Sequence, residues 1–97
     1  MDEFETQDIP CGRTLTYHDF FERFNAISRG CGHHACPATV GGEFVGVAIV
    51  SERDNELMAS LDVDSFTWDF KESAFHWQEL NLMMQLAANM PEFRGRN

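Results

Sequence analysis

The hexapeptide Cys31-Gly32-His33-His34-Ala35-Cys36 gathers the soft ligands of this chain in one place. Thiolate and neutral imidazole are the usual zinc ligands, and a closed structural site needs four of them. Cys31, Cys36 and one of the two histidines supply three, with Cys11 or His18 as the fourth. The zinc set this assembles is Cys11, Cys31, His33 and Cys36. The local spacing matches no finger, ribbon or knuckle, and no CxxC pair supports it. The same residues offer a thiol nucleophile, Cys31 or Cys36 with His33 or His34 as base. Neighbours in sequence seldom form such a pair, and 97 residues leave little room for a substrate pocket. The chain has no Gly-rich phosphate loop, no Gly-x-Ser-x-Gly turn and no HExxH helix. Its carboxylates fall on faces read as exposed, not across a cleft as glycosidase chemistry needs. The expectation is therefore a binding protein and not an enzyme, without a cofactor unless the zinc set closes.

Charge is the stronger signal. Sixteen acids against seven Lys and Arg give a formal net charge of −9. Such an excess disfavours direct contact with nucleic acid or an anionic membrane and favours a basic protein surface. The stretch Glu43 to Glu72 holds Glu43, Glu52, Asp54, Glu56, Asp62, Asp64, Asp69 and Glu72 against only Arg53 and Lys71. Residues two apart on a strand are separated by about 6.8 Å. Asp62 and Asp64 on a strand would thus give a charge repeat comparable with neighbouring phosphates along a nucleic-acid strand, which rise about 3.4 Å each before helical winding. The candidate partner-binding set is Glu52, Asp54, Glu56, Asp62, Asp64, Asp69 and Glu72; the plain alternative is a solvated sheet face.

The elements that must hold these acids follow from periodicity. In Glu56–Glu72, Leu57, Ala59, Leu61 and Val63 alternate with Met58, Ser60, Asp62 and Asp64, and Phe66, Trp68 and Phe70 with Thr67, Asp69 and Lys71. That is a hairpin with one apolar face. A turn at Asp64-Ser65 pairs Val63 with Phe66, Leu61 with Trp68 and Ala59 with Phe70. Glu43–Glu52 reads as a strand apolar on both sides, with Phe44, Ala48 and Val50 on one and Val45, Val47 and Ile49 on the other. Gly46 within it marks a bulge or a close approach. Upstream, Thr16 caps a helix over 16–29 whose core face is Tyr17, Phe20, Phe21, Phe24 and Ile27, stapled by Leu15 and ended by Gly30. Residues 30–42 read as a Gly-rich connection. Downstream, Ser73 caps a second helix over 74–89, stopped by Pro91. Its stripe of Trp77, Leu80, Met83, Met84 and Ala87 is read as core. Methionine repacks readily, so part of this stripe is also open to a partner or a second copy.

The whole, residues 1–97, is one domain of α+β class, a three-stranded antiparallel sheet flanked by two helices in the order α-β-β-β-α. Residues 1–13 form an acidic arm, and 91–97 a short mobile tail. No apolar run is long enough to span a membrane. The acidic N-terminus lacks signal-peptide features, and an odd number of cysteines fits a reducing compartment, so the expected location is cytoplasmic.

In size, acidity and element order the chain resembles the small phage-encoded anti-CRISPR proteins. It is most similar to a DNA-mimicking inhibitor of the type I-F Cascade surveillance complex. The acids from Glu43 to Glu72, on a sheet framed by the 16–29 and 74–89 helices, carry the likeness. It implies binding to the DNA-docking surface of Cascade subunits, in the host cytoplasm, with target DNA shut out.

Overall fold

In a computed structural model of the protein, residues 15–72 and 74–95 are described. The arm over 1–13, Cys11 and the Ser73 cap lie outside them. Helix α1 spans Tyr17–Ile27, and the Thr16 side chain accepts the Asp19 N–H at 3.2 Å. Phe20 and Phe24 are fully buried, with Leu15, Tyr17 and Phe21 packed into the same core. The aromatic face and the Leu15 staple therefore form as the spacing indicates, with Ile27 half exposed at the end. The helix stops at Ser28, whose N–H donates to the Phe24 carbonyl, two residues before Gly30.

Four strands follow, β1 (His33–Val40), β2 (Glu43–Ser51), β3 (Leu57–Asp62) and β4 (Asp69–Phe70), all antiparallel in the order β1-β2-β3-β4. Helices α2 (Trp77–Ala88) and α3 (Pro91–Arg94) close the described chain. The class is α+β, with one strand and one helix more than the sequence indicates. The added strand is β1, in the stretch read as a connection. Gly41 and Gly42 both have positive φ, +60° and +84°, as a two-residue hairpin turn requires. Pro37 is tolerated because β1 is an edge strand. That edge is not left bare. Asn25 of α1 accepts the Ala35 N–H at 2.7 Å and donates to the Ala35 carbonyl at 3.1 Å. Its amide stands where a further strand would pair.

Two bulges reset which residues face the helices. Ala38 pairs with Gly46 but Thr39 with Phe44, leaving Val45 as the extra residue. Phe44 is thereby turned to the helix side, where its ring meets Tyr17 at 4.9 Å, rather than sharing a face with Ala48 and Val50. Ile49 pairs with Ala59 but Val50 with Leu57, leaving Met58 extra. Leu57 moves to the open side, 41 % exposed, while Met58 is buried. The β3–β4 register is the expected one, Ala59 opposite Phe70. The turn is longer than expected, because β3 ends at Asp62 and pairing resumes only at Asp69. Trp68 still reaches the core and donates its indole N–H to the Met83 carbonyl at 2.7 Å. Phe66 does not, and lies exposed.

The two long helices cover one side of the sheet and run antiparallel. Ser28, after α1, bonds Glu79 in the first turn of α2. Asn89, after α2, donates to the Leu15 carbonyl before α1 at 2.8 Å. The core is Phe20, Phe24, Ala35, Val47, Ile49, Ala59, Leu61, Trp68, Met83 and Leu86 with their small neighbours. The rotation of α2 departs from the hydrophobic stripe. Glu79, Met83, Leu86 and Ala87 are buried, whereas Trp77 and Met84 are 67 % and 62 % exposed. No helix among the described residues is long and apolar enough to cross a membrane.

Nor is the segment after Pro91 a free tail as far as Gly95. Arg94 is fully buried. Its guanidinium donates to the carbonyls of Asn89 (3.1 Å), Ala87 (3.1 Å), Ser65 (2.6 Å), Asp62 (3.4 Å) and Val63 (3.4 Å). The Phe66 ring lies 5.8 Å away. One side chain thus caps the carbonyl end of α2 and ties it to the β3–β4 turn. Replacing it by Met leaves those carbonyls buried and unpaired, and Arg94→Met should cost about 3 kcal/mol in urea unfolding. Gly46 is a second point of low tolerance, since a Cβ there would overlap the Leu61 carbonyl oxygen of the neighbouring strand. Gly46→Ala should lower stability by about 2 kcal/mol in the same measurement.

Candidate functional site

Ligand-type and titratable side chains gather in three places. The first is a buried carboxylate, Glu79. It sits in the first turn of α2, where a negative charge meets the positive end of the helix dipole. Its Oε1 accepts the His76 N–H at 2.8 Å, completing a capping box in which the His76 ring accepts the Gln78 N–H. Its Oε2 accepts the Ser28 hydroxyl and lies 3.0 Å from His33 Nδ1. Burial pushes the Glu79 carboxyl up. The hydrogen bonds from Ser28, from His33 and from the His76 backbone, with the charge of His33, more than offset this and hold it below the ordinary carboxylate range. A carboxylate in that state accepts, so Nδ1 of His33 is the donor. Ser28, His33 and Glu79 do not form a nucleophilic triad, because the serine bonds the carboxylate and not the imidazole. The cluster joins α1, β1 and α2 at one point.

The second place is the hexapeptide 31–36. As the start of a strand it sends alternate side chains to opposite sides of the sheet. His33 and Ala35 are buried toward the helices, while His34 and Cys36 lie on the open side. His34 meets Glu52 at 3.7 Å. Cys31 and Cys36 are free thiols, and among the described residues no hydrogen bond joins either to a histidine. Cys31, His33 and Cys36 therefore do not converge, and no three His, Cys, Asp or Glu side chains among the described residues are placed to hold a metal ion. Cys11 is outside the described residues, and His18 instead pairs with Glu22 along α1 at 3.4 Å.

The third place is the acidic set. Glu52, Asp54, Glu56, Asp62, Asp64, Asp69 and Glu72 are all exposed. They do not form one row along a strand, because Asp64 lies in the turn beyond the end of β3. They divide between the two ends of β3. At its start, Asp54, Glu56 and Glu72 line a cleft of about 360 Å³ with His33, Cys31 and Arg53. Glu72 is brought there by its N–H bond to the Met58 carbonyl at 3.1 Å, and Glu52 lies on the same turn. At the other end, Asp62 and Asp69 line a shallower cleft of about 300 Å³ with Ser60, Ser65 and Thr67, and Asp64 is on the adjoining turn. Six strand residues separate the ends by roughly 17 Å. Cation pairing of the set is slight, with Lys71 on Asp69 at 3.7 Å as its exposed ion pair to a Lys or Arg among the described residues. Such a pair is screened by water. The buried Arg94 spends its donors on carbonyls and neutralises none of these acids.

No family model, curated protein or solved structure matches this chain.

The Glu79 cluster makes stability pH-dependent in a definite direction. A carboxyl held low in the folded state adds stability that is complete above the ordinary carboxylate range. That contribution is lost as pH falls through the lowered value. Glu79→Gln should cost about 2 kcal/mol at neutral pH. The difference between variant and wild type should shrink on acidification, read by urea unfolding at neutral and acidic pH.

Proposed function

We propose that this chain is an acidic inhibitor that occupies a basic, nucleic-acid-docking protein surface in place of nucleic acid. The observation that carries the reading is the division of seven exposed carboxylates between the two ends of a single strand, with His34 on Glu52 and Lys71 on Asp69 as their ion pairs among the described residues. Backbone pairing holds the start of β3 and Arg94 ties down the turn at its other end, so the backbone that carries the carboxylates is already ordered before binding. Their separation, roughly 17 Å, is that of about five successive phosphate steps of 3.4 Å along one strand. A surface evolved to hold phosphates with Lys and Arg meets the same charge at the same reach. In its finer form the proposal takes up the resemblance to anti-CRISPR proteins. The docking surface is then that of the type I-F Cascade surveillance complex in the host cytoplasm, and target DNA is the displaced ligand.

Binding of this kind is steered by charge and weakened by salt. Reversal of one end, Asp62→Lys with Asp64→Lys and Asp69→Lys, should weaken capture by the surveillance complex by at least about tenfold at physiological ionic strength. Reversal of the other end, at Glu52, Asp54, Glu56 and Glu72, should do the same. Surface plasmon resonance against the immobilised complex reads both. If the two reversed proteins bind as the wild type does, the acidic ends are not the contact.

A further inference from the structure

The two acidic clefts differ in what lies at their floor. The cleft at the start of β3 is lined by His33, whose side chain is nine-tenths buried. Its Nδ1 donates to Glu79 at 3.0 Å. In the neutral form, a ring that donates from Nδ1 keeps a lone pair on Nε2. Among the described residues Nε2 has no hydrogen-bond partner. The Tyr17 hydroxyl is the one fully enclosed side-chain atom among them that lacks a partner. The unpartnered Nε2 is therefore not enclosed, and it opens to the cleft that His33 lines. Asp54, Glu56 and Glu72 stand around that opening against the single cation Arg53, and Leu57, Met58 and Ala74 give it an apolar wall. The cleft at the far end of β3 has two carboxylates and no imidazole.

Three features narrow what fills the first cleft. Its buried floor and its rim are acceptors with an excess of negative charge, so the ligand is a cation rich in donors. No three of the His, Cys, Asp and Glu side chains among the described residues are close enough together to hold a metal ion, so the donors must be spread over a larger group. The apolar wall suits a charge carried on a methylene stem. A guanidinium meets all three conditions, with five N–H donors fixed in one plane at the end of such a stem, whereas an ammonium offers its three donors from a single atom. We propose that the cleft at the start of β3 receives an arginine side chain, its guanidinium donating to His33 Nε2 and to the carboxylates of Glu56 and Glu72 while its stem lies on Leu57 and Met58. The source of that arginine, the basic docking surface of the partner, rests on the inhibitor reading; the site itself does not.

Nitrogen NMR of the full chain, labelled in its histidine rings and titrated with N-acetyl-arginine amide at about pH 8, above the ordinary histidine range, reads the site directly. The expected result is a saturable shift of the His33 Nε2 signal, with the signals of His18 and His34, which do not line the cleft, unmoved. N-acetyl-lysine amide should bind at least about threefold more weakly. Glu56→Gln with Glu72→Gln should weaken binding of the arginine amide by at least about tenfold. That double variant should melt as the wild type does, since both side chains are exposed. A His33 signal that the arginine amide leaves unmoved overturns the site, as does equal binding of the lysine amide or undiminished binding by the double variant. Surface plasmon resonance on the surveillance complex separates the site from the inhibitor reading. Binding of the arginine amide without capture by the complex supports the site and overturns that reading. Capture by the complex with His33 unmoved by the arginine amide overturns the site alone.

Discussion

Helix α2 is held at each end by a buried charge, and the rest of the structure depends on that constraint. Glu79 stands at the amino end, where the dipole favours an anion, and Arg94 at the carbonyl end, where it favours a cation. Neither is paired with a side chain of opposite and permanent charge. Glu79 is satisfied by Ser28, His33 and the His76 backbone, Arg94 by five main-chain carbonyls. A buried charge is tolerable only when its hydrogen bonds are made almost completely, so each fixes several backbone segments at once. Glu79 draws together the end of α1, the start of β1 and the start of α2. Arg94 draws together the end of α2 and the β3–β4 turn.

The two charges also set the rotation of α2, and through it the character of the surface. Turning Glu79 inward brings Met83, Leu86 and Ala87 with it and carries Trp77 and Met84 out. Turning α2 by hydrophobicity alone would bury Trp77 and Met84 and leave Glu79 in water. The outcome is a molecule with acidic strand ends and a neutral apolar helix, two surfaces of opposite tendency held by one small core.

How much of this the sequence disclosed depended on whether a residue's fate followed from its own polarity. The aromatic stripe of α1, its Thr16 cap, strand β2 and the Ala59–Phe70 register were legible because period and turn chemistry agreed. Strand β1 was hidden by Gly30, Gly32 and Pro37, which read as loop. The Gly41-Gly42 pair between Val40 and Glu43 was the available hairpin signal. The faces of Phe44, Leu57 and Met58 were misplaced because a bulge shifts every residue beyond it by one, and alternation alone does not register the extra residue. The burial of Glu79 and Arg94 is not legible in the sequence, because burial of a charge is decided by distant partners. His76-Trp77-Gln78-Glu79, with Glu at the third helical position, held a trace of the cap. The exposure of the seven acids follows from their polarity, whereas their division between two ends follows from the length of the β3–β4 turn.

The account of function rests on carboxylates taking the place of phosphates, and displacement measures that directly. Labelled target duplex bound to the type I-F surveillance complex is titrated with the unmodified chain at low and raised salt, and released DNA is followed by fluorescence anisotropy. Full release is expected at low salt, with the half-point moving to higher protein concentration as salt is raised. Retention of the duplex at saturating protein in low salt would contradict it.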